Sequence, residues 1–480
     1  MSLIIPANTL ASGGYAVDNS LRFNGSNDSL VRTPSSSGST TINTWSFWVK
    51  RSELDSSQTL YSSEVSSSNV FKIGFTSNTL EILFYVAPAY RFQIKTNRLF
   101  RDVSAFYNIV IIQNAGASTN TDRLQIWVNG VRETSFAITN FPDADEGAAP
   151  INASSVSQNI GTTGTENFGG YMSEVVHIDG TAYAASDFGE FDEDSGIFKP
   201  IDVSGLTFGT NGSYFQFKET GTSQNSSGMG ADTSGEDNHY AVNNLTAIDQ
   251  SIDTCTNNGA TVSPLVVIGN TGQTYADGNL TFNASGNNWT ATNSTIGASQ
   301  GNWYAEFKVV TLASSTGYGM VGVTGTENIT NGNFISTEAN SVGLGLDYRA
   351  GNNVAVYSGG SFVQYAGADF AAGAIVGIAV DMDNKKFYLS HNGTYLTVGG
   401  SVGDPTSGST GTGALTIPAG IETFLFAVGG YSTSFKGTWN FGSPAYAISS
   451  GNQDPNGYGN FEYPTNGYYA LNTKNLAEYG

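Results

Sequence analysis

The chain has 480 residues, with 40 Asp and Glu against 19 Lys and Arg and a formal charge of −21. That balance, without any Lys/Arg cluster, leaves no means of releasing counterions from a phosphate backbone and excludes nucleic acid as a partner. No apolar run reaches the ~20 residues that span a bilayer, so no membrane insertion is expected, and a single cysteine, Cys255, excludes an internal disulfide framework and a Cys-rich metal site.

The opening Met1-Ser2-Leu3-Ile4-Ile5-Pro6 has neither the basic region nor the apolar length of a secretory signal. From there on, period-two alternation dominates and predicts half-buried strands. It is clearest in Trp45-Ser46-Phe47-Trp48-Val49-Lys50, Phe71-Lys72-Ile73-Gly74-Phe75 and Leu124-Gln125-Ile126-Trp127-Val128. Tyr107 to Ile112 is apolar almost throughout, which predicts a strand covered on both faces. Asn129-Gly130 follows, the pair that suits a two-residue type I′ hairpin turn.

Gly221 to Asn238 and Asp249 to Gly259 carry few apolar residues and read as connector. Strand texture then returns in Trp303 to Val309, Val342 to Leu346, Ile375 to Val380 and Thr423 to Val428, with a second Asn-Gly pair at Asn392-Gly393. Asp454-Pro455-Asn456-Gly457 and Tyr463-Pro464-Thr465-Asn466-Gly467 mark turns in a strapped-down, irregular tail. The predicted organisation is all-β: an N-terminal segment 1–18, an antiparallel sandwich over 19–180, a connector over 181–258, a second sandwich over 259–447 and a tail over 448–480.

Ser20 to Gly25, Thr44 to Arg51, Phe106 to Ile111, Leu124 to Gly130, Asn159-Ile160-Gly161 and Phe168 to Tyr171 follow one another in an order that resembles a laminin-G-like, concanavalin-type jelly roll. Gly301 to Phe307, Val321-Gly322-Val323, Val342 to Tyr348, Gly377 to Asp383 with Lys386 to Leu389, and Phe424 to Val428 resemble a SPRY domain, another concanavalin-like sandwich. Ser2 to Asn8, Phe188 to Gly196 and Trp439 to Leu476 look like virion proteins of tailed phages, marine ones especially. This resemblance implies a tail-fibre or other particle-surface protein, assembled in the host cytoplasm, located on the virion and packed against other virion proteins. It also implies a homo-oligomer, a trimer if the chain is a fibre.

The acidic run Glu190-Phe191-Asp192-Glu193-Asp194 is the one place where paired carboxylates invite a glycosidase reading. Its flanking Gly189 and Ser195-Gly196 instead predict a solvated loop. His177, His239 and His391 are dispersed and offer no local relay to a serine nucleophile, and Cys255 has no activating neighbour in sequence.

Two oxygen-rich loops, Asn24 with Asn27 and Asp28, and Asp381 with Asp383 and Asn384, could each hold a structural calcium ion or simply form a turn. No other cofactor is expected. Glycan recognition needs aromatic platforms beside planar polar groups. Tyr85, Tyr90 and Arg91 form one candidate set, and Tyr318, Asp347, Tyr348, Arg349 and Tyr357 another, against the alternative that these aromatics pack cores and subunit contacts. The function expected is adhesion without catalysis, to a host surface polysaccharide or outer-membrane receptor. The alternatives are a purely structural head-decoration or tail component and a glycan-degrading enzyme.

Overall fold

The computed structural model describes residues 14–269, 271–286, 288–313, 318–325, 332–347, 354–406, 413–431, 433 and 435–480. The chain divides into two compact units, Ala11–Thr256 and one whose described residues are within Asn257–Gly480. Each is an antiparallel sandwich, as predicted.

In the first unit one sheet runs, in spatial order, Val131–Arg132, Leu124–Val128, Tyr107–Asn114, Ile42–Arg51, Gly169–Asp179, Ser20–Asn24 and Gln250–Ser251. The facing sheet runs Phe136–Asn140, Ala89–Leu99, Thr79–Val86, Asn69–Thr76, Gln58–Ser66, Ser157–Ile160, Ser29–Arg32 and Ala241–Asn243. Alternation delivers Trp45, Phe47, Val49, Ile109, Ile111, Phe71 and Ile73 to the shared core. The intervening Val110 and Ile112 join a second apolar layer on the outer face, with Val176, Ile178, Phe188, Val203, Phe208 and Tyr214. The continuous apolar run is therefore covered on both faces.

Its cover comes from the stretch expected to be a connector. Residues 181–256 of it belong to the first sandwich: Ser213–Phe215 pairs with Gly169–Asp179, Ala241–Asn243 with Ser29–Arg32, and Gln250–Ser251 with Ser20–Asn24. The polar loops of this stretch conceal widely spaced anchors, Phe208, Tyr214, Phe217, Met229, Tyr240 and Leu245, all buried. Asp253 adds an ion pair to Lys50 at 2.8 Å, with both side chains almost fully enclosed.

In the second unit one sheet is ordered Thr274–Ala276, Thr281–Asn283, Phe435–Asn440, Asn302–Leu312, Ile375–Asp381, Lys386–His391 and Thr394–Tyr395. The other is ordered Ile268–Gly269, Trp289–Ala298, Phe424–Tyr431, Tyr318–Gly325, Ser341–Asp347, Ala355–Ser358 and Ser361–Tyr365. Trp303, Ala305, Phe307 and Val309 point into the core, while Tyr304 points outward into a cluster with Tyr388, Phe461, Tyr468 and Ala470. The tail is more regular than its sequence suggests. Tyr469–Ala470 pairs in parallel beside Trp303 and Tyr304, and a helix, Thr473–Tyr479, capped by Asn472, drives Leu476 into the core.

The two Asn-Gly pairs form the turns that were predicted, with φ of 47° and 72° at Asn129 and Gly130, and 47° and 79° at Asn392 and Gly393. Each asparagine also ties its turn to a neighbouring strand. Asn129 Oδ1 accepts from the Asn108 N–H at 2.8 Å and its own N–H donates to Asn108 O at 2.9 Å; Asn392 and Ile375 repeat both bonds at 2.8 and 2.9 Å.

Each sandwich also buries a glutamate beneath its late-arriving cover. Glu174, at φ 46° in a register irregularity of Gly169–Asp179, accepts from the Tyr15 hydroxyl at 3.1 Å and from the Tyr214 hydroxyl. Burial raises its pKa to about 7. Glu306, fully enclosed in Asn302–Leu312, accepts from the Tyr463 and Glu462 backbone N–H groups at 2.8 and 3.0 Å, from Asn440 Nδ2 at 3.2 Å and from the Tyr304 hydroxyl at 3.3 Å. Burial raises its pKa too.

Candidate functional site

Part of one expected ligand set converges. Tyr318, Asp347 and Tyr357 line a groove of about 370 Å³ on the outer face of the second unit's sheet. Tyr348 and Arg349 lie outside the described residues.

The groove follows from strand alternation. The inward residues Val342, Leu344 and Leu346 of Ser341–Asp347 belong to the core, so Gly343, Gly345 and Asp347 face outward. On one side Tyr318 pairs in register with Asp347, and its ring lies 5.7 Å from Trp289 and 5.9 Å from Tyr431. On the other side Tyr357, Phe362 and Tyr365 form a chain of edge contacts at 6.1 and 5.2 Å. Gly345 lets the Tyr357 ring close against the strand, since a Cβ there would stand 3.0 Å from that ring. A short helix, Phe334–Thr337, sets Ile335 over Gly343 and presents Asn333 and Ser336 to the groove.

Phe362 and Tyr365 are 52% and 59% exposed, which is unusual for large rings on one short strand. Burial raises the Tyr357 pKa, and the negative charge of Asp347 adds to the effect, so the carboxylate's field reaches the groove wall. The arrangement offers apolar ring faces for C–H surfaces and a carboxylate and amide for hydroxyls. Trp289, Phe362, Tyr365, Asn333 and Ser336 were not singled out from sequence. The available signal was Phe362-Val363-Gln364-Tyr365, three large apolar side chains on the edge strand that pairs with Ala355–Ser358.

The other candidates do not build a site. Tyr85 and Tyr90 are register partners with rings 5.1 Å apart, while Arg91 faces a shallow depression beside Phe84 and Val86, bound to Glu146 at 2.9 Å. The two oxygen-rich loops do not fit calcium, because their oxygens serve the chain itself. Asn24 Oδ1 accepts from the Ser26 and Asn27 N–H groups, Asp28 Oδ2 from the Asn24 N–H, and Asn27 Oδ1 from Asn24 Nδ2. Asp381 accepts both N–H groups of Asn384, and Asp383 accepts the Gly301 N–H. Among the described residues no group of three or more His, Cys, Asp or Glu is placed to hold a metal ion.

The acidic run is a turn in a small hairpin. Asp192 accepts from the Asp194 and Ser195 N–H groups, the Ser195 hydroxyl and Lys199, and these bonds hold its pKa down at about 2. His177 is stacked on Trp45 at 5.1 Å, and burial lowers its pKa to about 3, so it is a neutral core residue. His239 accepts the Asp232 N–H, and His391 packs on Phe370 at 4.6 Å. Burial pushes the Cys255 thiol well up, away from a reactive thiolate. Among the described residues no helix is long and apolar enough to cross a membrane.

Comparison with known proteins agrees with the first sandwich. Residues 24–183 match a laminin-G family model described as the concanavalin A-like lectin/glucanases superfamily. No curated protein matches the chain. Solved structures similar to it include the SPRY domain of human HERC1, at 14% identity and TM-score 0.28 over 37% of this chain and 96% of that one. A heptameric SAP-like pentraxin from Limulus polyphemus is similar at 14% identity and TM-score 0.28 over 40% and 98%. Domain 4 of AbnA, a GH43 extracellular arabinanase from Geobacillus stearothermophilus in complex with arabinotriose, is similar at 21% identity and TM-score 0.22 over 31% and 64%. At these scores the second sandwich is read from its own strands.

Proposed function

We propose that the chain is a non-catalytic adhesion module, carried on the outside of a phage particle, that holds a neutral glycan of the host surface in the groove lined by Tyr318, Asp347, Tyr357, Phe362 and Tyr365. The observation that carries this reading is the groove itself: solvent-exposed rings and a carboxylate within about 370 Å³, inside the usual range for small-ligand sites of ~300–1,000 Å³. The low charged fraction, 12%, suits a surface that meets neutral sugars. The likeness of the chain's opening, middle and closing strings to virion proteins supplies the particle. Several copies on one particle would multiply a weak single-site affinity.

The test is adsorption of the purified chain to host cells and to a panel of immobilised neutral polysaccharides. Binding that is lost in a Phe362→Ala/Tyr365→Ala double variant supports the reading. A chain that binds neither cells nor sugars, and that labels capsid or tail lattice with the Phe362 edge buried against another protein, would establish the alternative of a purely structural virion component.

A further inference from the structure

The two exposed rings of the groove stand on a strand at the rim of its sheet. Ser361–Tyr365 pairs with Ala355–Ser358 and, among the described residues, with no other strand. Strict alternation would put Phe362 and Tyr365, three residues apart, on opposite faces. A bulge brings them together. Val356 pairs with Gln364 and Tyr357 with Phe362, which leaves Val363 as the extra residue. Tyr357 and Ala355 line the groove, and their partners Phe362 and Tyr365 line it with them. Gln364, opposite the core residue Val356, is turned to the inner side of the sheet.

On that side Gln364 meets a hairpin. Its Nε2 donates to Thr397 O at 2.6 Å, and its Oε1 accepts from the Gly399 N–H at 3.0 Å. The hairpin pairs Thr397–Val398 with Ser401–Val402, and its root is fixed: Leu396 is in the core, its N–H donates to Leu389 O and its carbonyl accepts from the Gly403 N–H, both at 2.9 Å. One side chain thus ties the rim strand to a rooted part of the chain. Resting on the glycan reading above, we infer that Gln364 is a positioning residue for the groove: this clamp holds the bulged strand so that Phe362 and Tyr365 both face the ligand. Gln364 acts through the two rings. A strand with one neighbour and few buried side chains opens locally at low cost, and rings that must be ordered on binding lower the affinity.

The experiment pairs two measurements on the full chain. One is titration calorimetry with malto-, cello-, manno-, galacto- and arabino-oligosaccharides; the other is amide hydrogen exchange, read on peptides that contain Ser361–Tyr365. For the sugar that binds, Gln364→Ala should weaken the Kd by about fivefold or more and speed exchange in Ser361–Tyr365 by about tenfold, with the urea midpoint of the second unit unmoved. Gln364→Glu keeps the acceptor for the Gly399 N–H and gives up the donor to Thr397; it should fall between wild type and Gln364→Ala in both readouts, and it serves alone where Gln364→Ala fails to fold. If no sugar binds the wild type, the glycan reading falls and takes this inference with it. If sugars bind but the folded variants match the wild type in Kd or in Ser361–Tyr365 exchange, the positioning role is overturned while the glycan reading stands. A loss of binding with faster exchange throughout the second unit overturns it too, because the side chain then serves stability alone.

Discussion

The two sandwiches differ most on the outer face of one sheet, the one that holds Asn69–Thr76 in the first unit and Ser341–Asp347 in the second. In the first unit that face is a ladder of polar side chains bonded to one another: Lys72 to Glu166 at 2.7 Å, Gln93 to Glu81 at 2.7 Å, and Asn159 to Ser62 at 3.1 Å. In the second unit the equivalent ladder is replaced by Gly343, Gly345 and Ala355 between two groups of rings. A ladder whose donors and acceptors are mutually satisfied offers a ligand little, because binding must first break those bonds. A groove flanked by rings, of which Phe362 and Tyr365 are exposed, offers apolar surface at no such cost, which is why the ligand site is assigned to the second unit.

On the opposite sheets the units are alike, and substitutions there should cost stability without touching binding. The largest effect is expected for Glu306→Ala. Removing an enclosed carboxylate strands the Glu462 and Tyr463 N–H groups and the Asn440 amide, at an expected loss of about 3–5 kcal/mol in urea unfolding. Protease cleavage near Glu462 should become fast as the tail detaches.

Glu174 tests the same device through pH. Its folded pKa of about 7 lies above the ordinary 4.5, so between these values the folded state keeps a proton that the unfolded state has released. Its contribution is fully present below pH 4.5 and lost as pH rises through 7, a fall on the order of 3 kcal/mol. In Glu174→Gln the difference in unfolding free energy between acidic and mildly alkaline buffer should shrink by about that amount.

The turn asparagines should behave as a matched pair. Asn129→Ala and Asn392→Ala each lose one side-chain acceptor and place alanine at φ 47°, so each should cost about 1–2 kcal/mol. Unequal losses would show that the two hairpins are not the same device. The smallest stability effect belongs to the groove: Phe362→Ala/Tyr365→Ala should lower the unfolding free energy by no more than about 0.5 kcal/mol per exposed ring, while abolishing glycan binding.

The sandwich strands and both hairpins were legible because their information is local: a period-two pattern, an Asn-Gly pair, one doubly apolar run. The membership of residues 181–256 in the first sandwich was not, because Phe208, Met229 and Tyr240 are buried anchors set apart by long polar intervals and periodicity needs neighbours. The tail's Glu306 latch was invisible for a related reason, since half of its donors are backbone N–H groups. Within the groove, Tyr318, Asp347 and Tyr357 were found through their residue types. Trp289, Phe362 and Tyr365 join them only through sheet order, which pairs segments far apart in sequence.

A crystal structure of the full chain with the tightest-binding neutral oligosaccharide tests the central claim most directly. The account predicts a sugar in the groove lined by Tyr318, Asp347, Tyr357, Phe362 and Tyr365. A sugar bound at Tyr85 and Tyr90, or elsewhere outside this groove, would contradict it.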